Sequence, residues 1–73
     1  MLRDCLLYLK VGDQVIHENY KKWGLGTVIE ERTSQVPGGF CYVRIDFKDG
    51  ATRIFDNNFK SQSCCYYTGI RKL

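Results

Sequence analysis

The side chains of this chain that could do chemistry are one histidine, four cysteines and a dense set of aromatics, with one Trp, five Tyr and four Phe in 73 residues. His17 could be a metal ligand or a base. Either role needs a partner, and no carboxylate or second histidine recurs near it at a useful spacing. It is expected instead to end a strand and to hydrogen-bond across the loop of residues 18–23. The cysteines are Cys5, Cys41, Cys64 and Cys65. None forms a Cys-x-x-Cys pair, so a zinc ribbon is not indicated. A metal set drawn from His17, Cys41 and Cys64-Cys65 is the alternative to buried, inert thiols. Adjacent cysteines ligate one ion with difficulty, so inert thiols, no metal and no cofactor are expected. Gly24-x-Gly26 lacks the third glycine and the lysine of a phosphate loop. No catalytic constellation is left, and the chain is expected not to be an enzyme.

The aromatics suggest recognition. Trp23 could be one wall of a cage for a methylated cation, with Tyr20, Tyr42, Phe55 and Tyr67 as further walls. Its simpler role is to lie over one end of the fold and pin the Gly24-Leu25-Gly26 bend. Tyr42, Arg44, Arg53 and Phe55 interleave rings and guanidinium groups. This is a candidate docking patch, since Tyr and Arg are enriched among interface anchors. A single-strand nucleic-acid platform and an ordinary solvated face are the alternatives.

Composition frames these readings. A net charge of +3 is too small to imply a nucleic-acid partner by itself. No apolar run approaches the ~18 residues of a membrane span. The run Cys5-Leu6-Leu7-Tyr8-Leu9 is too short for a secretory leader and has Asp4 in front of it. Four reduced thiols and a cytoplasmic location are therefore expected. The length allows one domain, residues 1–73, as a monomer; the chain is either a whole small protein or an excised domain.

The elements that would position these residues are short strands. Residues 1–10 are an N-terminal cover, with Leu6, Leu7 and Leu9 buried, and residues 11–73 form a barrel. Gly12 and Asp13 turn into a strand at 14–17. Gly24 and Gly26 bend the chain into a second strand at 26–32, with Val28 inward. Residues 33–39 are a long loop. Over 40–48, Cys41, Val43, Ile45 and Phe47 alternate with Tyr42, Arg44, Asp46 and Lys48, which predicts one buried face. Asp49-Gly50 reads as a two-residue hairpin turn. That turn places Lys48 opposite Ala51 and Asp46 opposite Arg53. It sends Thr52 and Ile54 into the core, and Arg53 and Phe55 to the outer face. The expected core is Val15, Val28, Val43, Ile45, Phe47 and Ile54. Residues 56–62 could carry a helical turn anchored by Phe59. Cys64–Thr68 is β-prone, and 69–73 closes the fold with Ile70 and Leu73 inward. The fold class is all-β, a small five-stranded SH3-like or Tudor-like barrel.

Gly12-Asp13-x-Val15-x-His17 followed by Trp23-Gly24-x-Gly26-x-Val28 resembles the opening of the Tudor-like C-terminal domain of UvrD/PcrA-type DNA helicases and of related small bacterial proteins. It is also similar to the RNA-polymerase-interacting domain of the CarD family and of the transcription-repair coupling factor. Tyr42-x-x-Ile45-x-Phe47, Gly50 and Gly69-Ile70-Arg71-Lys72-Leu73 fit the same pattern, so the resemblance spans about residues 10–73. The chain departs from it in the length of 33–39 and 56–67, and in Ala51-Thr52-Arg53 after the turn glycine. The resemblance implies a protein-docking module whose partner is RNA polymerase or another transcription or DNA-repair protein. A nucleic-acid-binding barrel is the alternative.

Overall fold

A computed structural model describes residues 5–33 and 40–73. The strands are β1 (Gln14–His17), β2 (Gly26–Thr33), β3 (Cys41–Phe47), β4 (Thr52–Asp56) and β5 (Ile70–Lys72). They form one antiparallel sheet in the order β4-β3-β2-β1-β5, curled into a half-barrel of the small all-β, SH3-like kind. A 3-10 turn at Lys21–Trp23 and a helical turn, α1 (Cys65–Thr68), complete it. The long loop expected at 33–39 and the start of the expected N-terminal cover fall mostly outside the described residues. No helix among the described residues is long and apolar enough to cross a membrane.

The alternation of β3 is observed as expected, with Cys41, Val43, Ile45 and Phe47 buried. Val43, Ile45 and Phe47 meet Val15, Val28, Leu9, Ile70 and the two adjacent thiols Cys64 and Cys65 in one core. Gly26 is part of that packing. A Cβ there would lie 2.7 Å from a Phe47 ring carbon and 2.8 Å from an Ile45 methyl, so only glycine lets β2 lie this close. The bend itself is made at Gly24, whose φ is +78°.

The β3–β4 hairpin differs from expectation by one residue. Phe47 N–H donates to Ala51 O at 3.0 Å, so the loop is Lys48, Asp49 and Gly50, not Asp49-Gly50 alone. Gly50 has φ +93°, the left-handed residue that closes a three-residue hairpin loop. The register becomes Ile45↔Arg53, Arg44↔Ile54 and Val43↔Phe55. A one-residue slip exchanges the two faces of a strand. Thr52 and Ile54 therefore point outward, with Ile54 58% exposed, whereas Arg53 and Phe55 turn inward. Asp49 stabilises this loop: its Oδ1 accepts the Ala51 N–H at 3.0 Å, and its carboxylate pairs with Arg53 at 2.9 Å. The expected Asp46–Arg53 pair is not formed.

Three further expectations are corrected. Leu6 and Leu73 are exposed, while Leu9 and Ile70 carry the apolar contacts of their segments. Cys64–Thr68 is not a strand; burial of both cysteines winds Cys65–Thr68 into a helical turn that ends at Gly69. The helical turn expected at 56–62 is absent: Asn58 is bridged to Leu7, and Phe59 to Ser63 runs as turns and a bend.

The cysteines are not all free: Cys5 and Cys41 form a disulfide. The reason lies in how the N-terminal segment docks. Tyr8 N–H donates to Asn57 O, and Phe59 N–H to Leu6 O. Asn57 N–H in turn donates to Cys41 O. The buried Asn57 side chain accepts the Leu9 N–H at 2.8 Å and donates to the Leu9 carbonyl at 3.0 Å. These bonds lay Cys5 beside Cys41 at a Cα–Cα distance of 6.4 Å, within bridging range.

Candidate binding surfaces

The outer face of the sheet is built from β2, β3 and β4. Tyr42 and Arg44 stand on β3, opposite Arg32 and Glu30 of β2 and Asp56 and Ile54 of β4. Glu30 takes Arg32 at 2.8 Å and Arg44 at 3.3 Å. The Arg44 Nε lies in ion-pair range but off the line of a hydrogen bond, so this buried N–H has no partner among the described residues. Arg44 thus shares its carboxylate with Arg32. Ile54 lies opposite Arg44, and Phe40, just before β3, is 82% exposed. Phe40, Tyr42, Ile54, Phe55, Asp56 and Ser63, with Cys41, line an open cleft of about 400 Å³. Among the described residues, none pairs with the outer edge of β4 along part of its length. Phe47 N–H to Ala51 O and Asn57 N–H to Cys41 O fix which residues bond inward. By that alternation Thr52 and Ile54 turn their backbone groups away from β3, while Asp56 is bridged to Cys64.

The inner face carries an aromatic cluster at one end of the half-barrel. Tyr20 stacks on Trp23 with ring centroids 4.6 Å apart and planes 7° apart. His17 meets both rings edge-on, and Phe47 meets Trp23 at 5.2 Å. The Arg53 guanidinium lies over the Trp23 ring, its carbon 3.8 Å from the centroid. Trp23 also pins the bend, since its carbonyl accepts the Asp49 N–H at 3.1 Å. His17 is 4% exposed, and its Nδ1 accepts the Asn19 N–H at 3.1 Å. Burial first, and the Arg71 charge second, push its pKa below the usual histidine value. This is a neutral structural histidine bonded into the 18–23 loop.

The four residues expected to form one patch are therefore split. Tyr42 and Arg44 remain on the outer face, and Arg53 and Phe55 belong to the Trp23 cluster. Of the expected cage walls, Tyr20 and Phe55 meet Trp23. Tyr42 is on the other face, and Tyr67 packs on Phe59 and Tyr66. The cation position over Trp23 is occupied by the chain's own Arg53. Gly12 and Asp13 form the turn into β1, where Asp13 accepts the Lys10 N–H at 2.9 Å.

Sequence reasoning missed Ile54 and Phe40 as surface residues. The signal was present: Phe40 continues the outward parity of Tyr42 and Arg44. It also missed a second aromatic cluster, in which Tyr8, Phe59, Tyr66 and Tyr67 meet at centroid distances of 5.0–6.4 Å.

The remaining thiols are poorly suited to chemistry. Burial raises the pKa of Cys64 and pushes that of Cys65 up to about 12, and thiolate is the reactive form. Among the described residues no group of three or more His, Cys, Asp or Glu side chains is placed to hold a metal. The chain matches no family model, no curated protein and no solved structure among those compared.

Proposed function

We propose that this chain is a non-enzymatic protein-docking module that works as a monomer through the outer face of β3 and β4. The observation that carries this reading is the apolar surface formed by Phe40, Tyr42 and Ile54 with Arg44 nearby, beside an edge at Thr52 and Ile54 that no described residue pairs with. A small domain gains nothing by exposing Ile54 and Phe40 in water, and clustered exposed apolar groups mark interaction sites. A free edge offers main-chain donors and acceptors to an added strand. Arg44 adds a fork for a partner carboxylate.

RNA polymerase, or another transcription or repair protein, is the partner that the resemblance of Gly12–Val28 implies. This reading places the protein in the cytoplasm. The Cys5–Cys41 bond is unusual for that compartment, where thiols are kept reduced. A nucleic-acid platform on this same face has less to rest on, because it needed Arg53 beside Tyr42 and Arg44, and Arg53 lies over Trp23 instead. The test is binding of immobilised protein to purified bacterial RNA polymerase. Retention of the polymerase by the natural chain, with loss in Ile54→Asp, supports the reading. Equal retention by both proteins would sink it.

A further inference from the structure

The second aromatic cluster uses other rings than the outer face, and its chemistry is different; the two clefts adjoin where Ser61 of one meets Ser63 of the other at 2.9 Å. Because Cys64 and Cys65 are both buried, the helical turn that follows must point Tyr66 and Tyr67 outward, and Tyr67 is 58% exposed. Both rings pack edge-on against Phe59, and the Tyr67 hydroxyl donates to the Phe59 carbonyl at 3.3 Å. The cluster is thus a fixed platform and not a set of loose side chains. Cations surround it. The Arg71 guanidinium carbon lies 4.3 Å from the Tyr66 centroid, and Lys72 Nζ lies 5.7 Å from the Tyr8 centroid. Exposed Lys60 lines a cleft of about 360 Å³ with Phe59, Tyr67, Ser61 and Gln62. Two carboxylates offset part of this charge: Glu18 lies 3.3 Å from Arg71 and Asp13 lies 3.9 Å from Lys72. Lys60 forms no ion pair with a described residue.

We propose that Phe59, Tyr66 and Tyr67, with Lys60, Arg71 and Lys72, form a binding surface for single-stranded nucleic acid. Exposed ring faces accept unstacked bases of any sequence, and neighbouring cations follow the phosphates. The open cleft of about 360 Å³ lies beside the packed Phe59 and Tyr67 rings, where a base can lie against them. Gln62 there offers hydrogen bonds to its edge, while the Ser61 hydroxyl is taken by Ser63. Charge complementarity selects the ligand: a basic rim around aromatic faces suits a polyanion that carries flat rings, and suits an acidic peptide less well. A duplex hides its base faces and is disfavoured. This surface is separate from Tyr42, Arg44 and Ile54, so it goes beyond the docking role.

The experiment is fluorescence anisotropy with labelled oligothymidylate and oligouridylate of about 15 nucleotides, within the span of known single-strand sites. A duplex of the same length is the comparison. The single strands are expected to bind more tightly than the duplex, and the ratio of DNA to RNA affinity identifies which strand is preferred. Tyr67→Ala is expected to weaken binding roughly five- to hundred-fold, the range of one lost base stack. Tyr67→Phe keeps the ring and is expected to keep binding. Lys60→Glu is expected to weaken binding and to flatten the slope of log affinity against log salt by ~0.7 or more. Ile54→Asp is expected to leave oligonucleotide affinity unchanged, which separates this surface from the docking face. No binding of either strand, a duplex bound as tightly, or unchanged affinity in a folded Tyr67→Ala would overturn the proposal.

Discussion

Arg53 lies over Trp23 at 3.8 Å and is held there from the other side by Asp49, at 2.9 Å. This one relationship links the hairpin loop to the aromatic end of the half-barrel. It also explains why the two-residue register loses. In that register Arg53 and Phe55 would leave the Trp23 cluster, and the core would receive Ile54 instead. The observed register covers the indole, buries part of Phe55 and still satisfies the hairpin loop.

Arg53→Ala is expected to destabilise the fold by ~1–2 kcal/mol through the lost cation–π contact and ring packing. Trp23→Ala is expected to cost ~3–5 kcal/mol, since it removes the common neighbour of His17, Tyr20, Phe47 and Arg53. Urea unfolding of both variants measures this. A Trp23→Ala protein of unchanged midpoint would show that the ring serves a ligand and not the fold.

Asn57→Ala is expected to cost ~2–4 kcal/mol, because it leaves the N–H and carbonyl of buried Leu9 without partners. Hydrogen exchange at the Leu9 amide is the local readout. Protection that survived the substitution would show that Asn57 does not hold the N-terminal segment.

Much of the sheet was legible in the sequence. The alternation of 41–47 fixed one buried face, and the turn at Gly12-Asp13 and the glycines at 24 and 26 marked the ends of β1 and β2. The register of β4 was not legible. Asp49-Gly50 suits both a two-residue and a three-residue loop, and the choice rests on Trp23, which is distant in sequence. The site residues on β4 changed face for the same reason. Asn57 was hidden because a lone asparagine in a polar stretch carries no pattern. Cys5 and Cys41 were hidden because their meeting depends on that asparagine.

Thiol titration of denatured, unreduced protein is expected to find two free thiols, Cys64 and Cys65. Four would contradict the Cys5–Cys41 bond. Opening that bond releases a long loop and is expected to cost ~3–4 kcal/mol by chain entropy. Cys5→Ser unfolded beside the natural protein gives the difference.

His17 supplies a pH dependence of definite sign. Its folded pKa is lowered, chiefly by burial. Between that value and the unfolded value of ~6.5 the unfolded chain binds more protons, so stability rises with pH across this window. The contribution is complete above ~6.5 and is lost as pH falls through the folded pKa. The chain has one histidine. The melting temperature is therefore expected to fall as pH drops below ~6.5, with a flatter slope in His17→Gln. An identical slope in the two proteins would assign the effect elsewhere.

The docking role of the outer face is tested most directly by amide signal loss in the isotope-labelled protein on adding substoichiometric RNA polymerase. Loss is predicted first at Tyr42, Arg44, Thr52 and Ile54, two outward-facing side chains of β3 and the edge of β4. Loss confined to Tyr20–Trp23, or no loss at all, would contradict it.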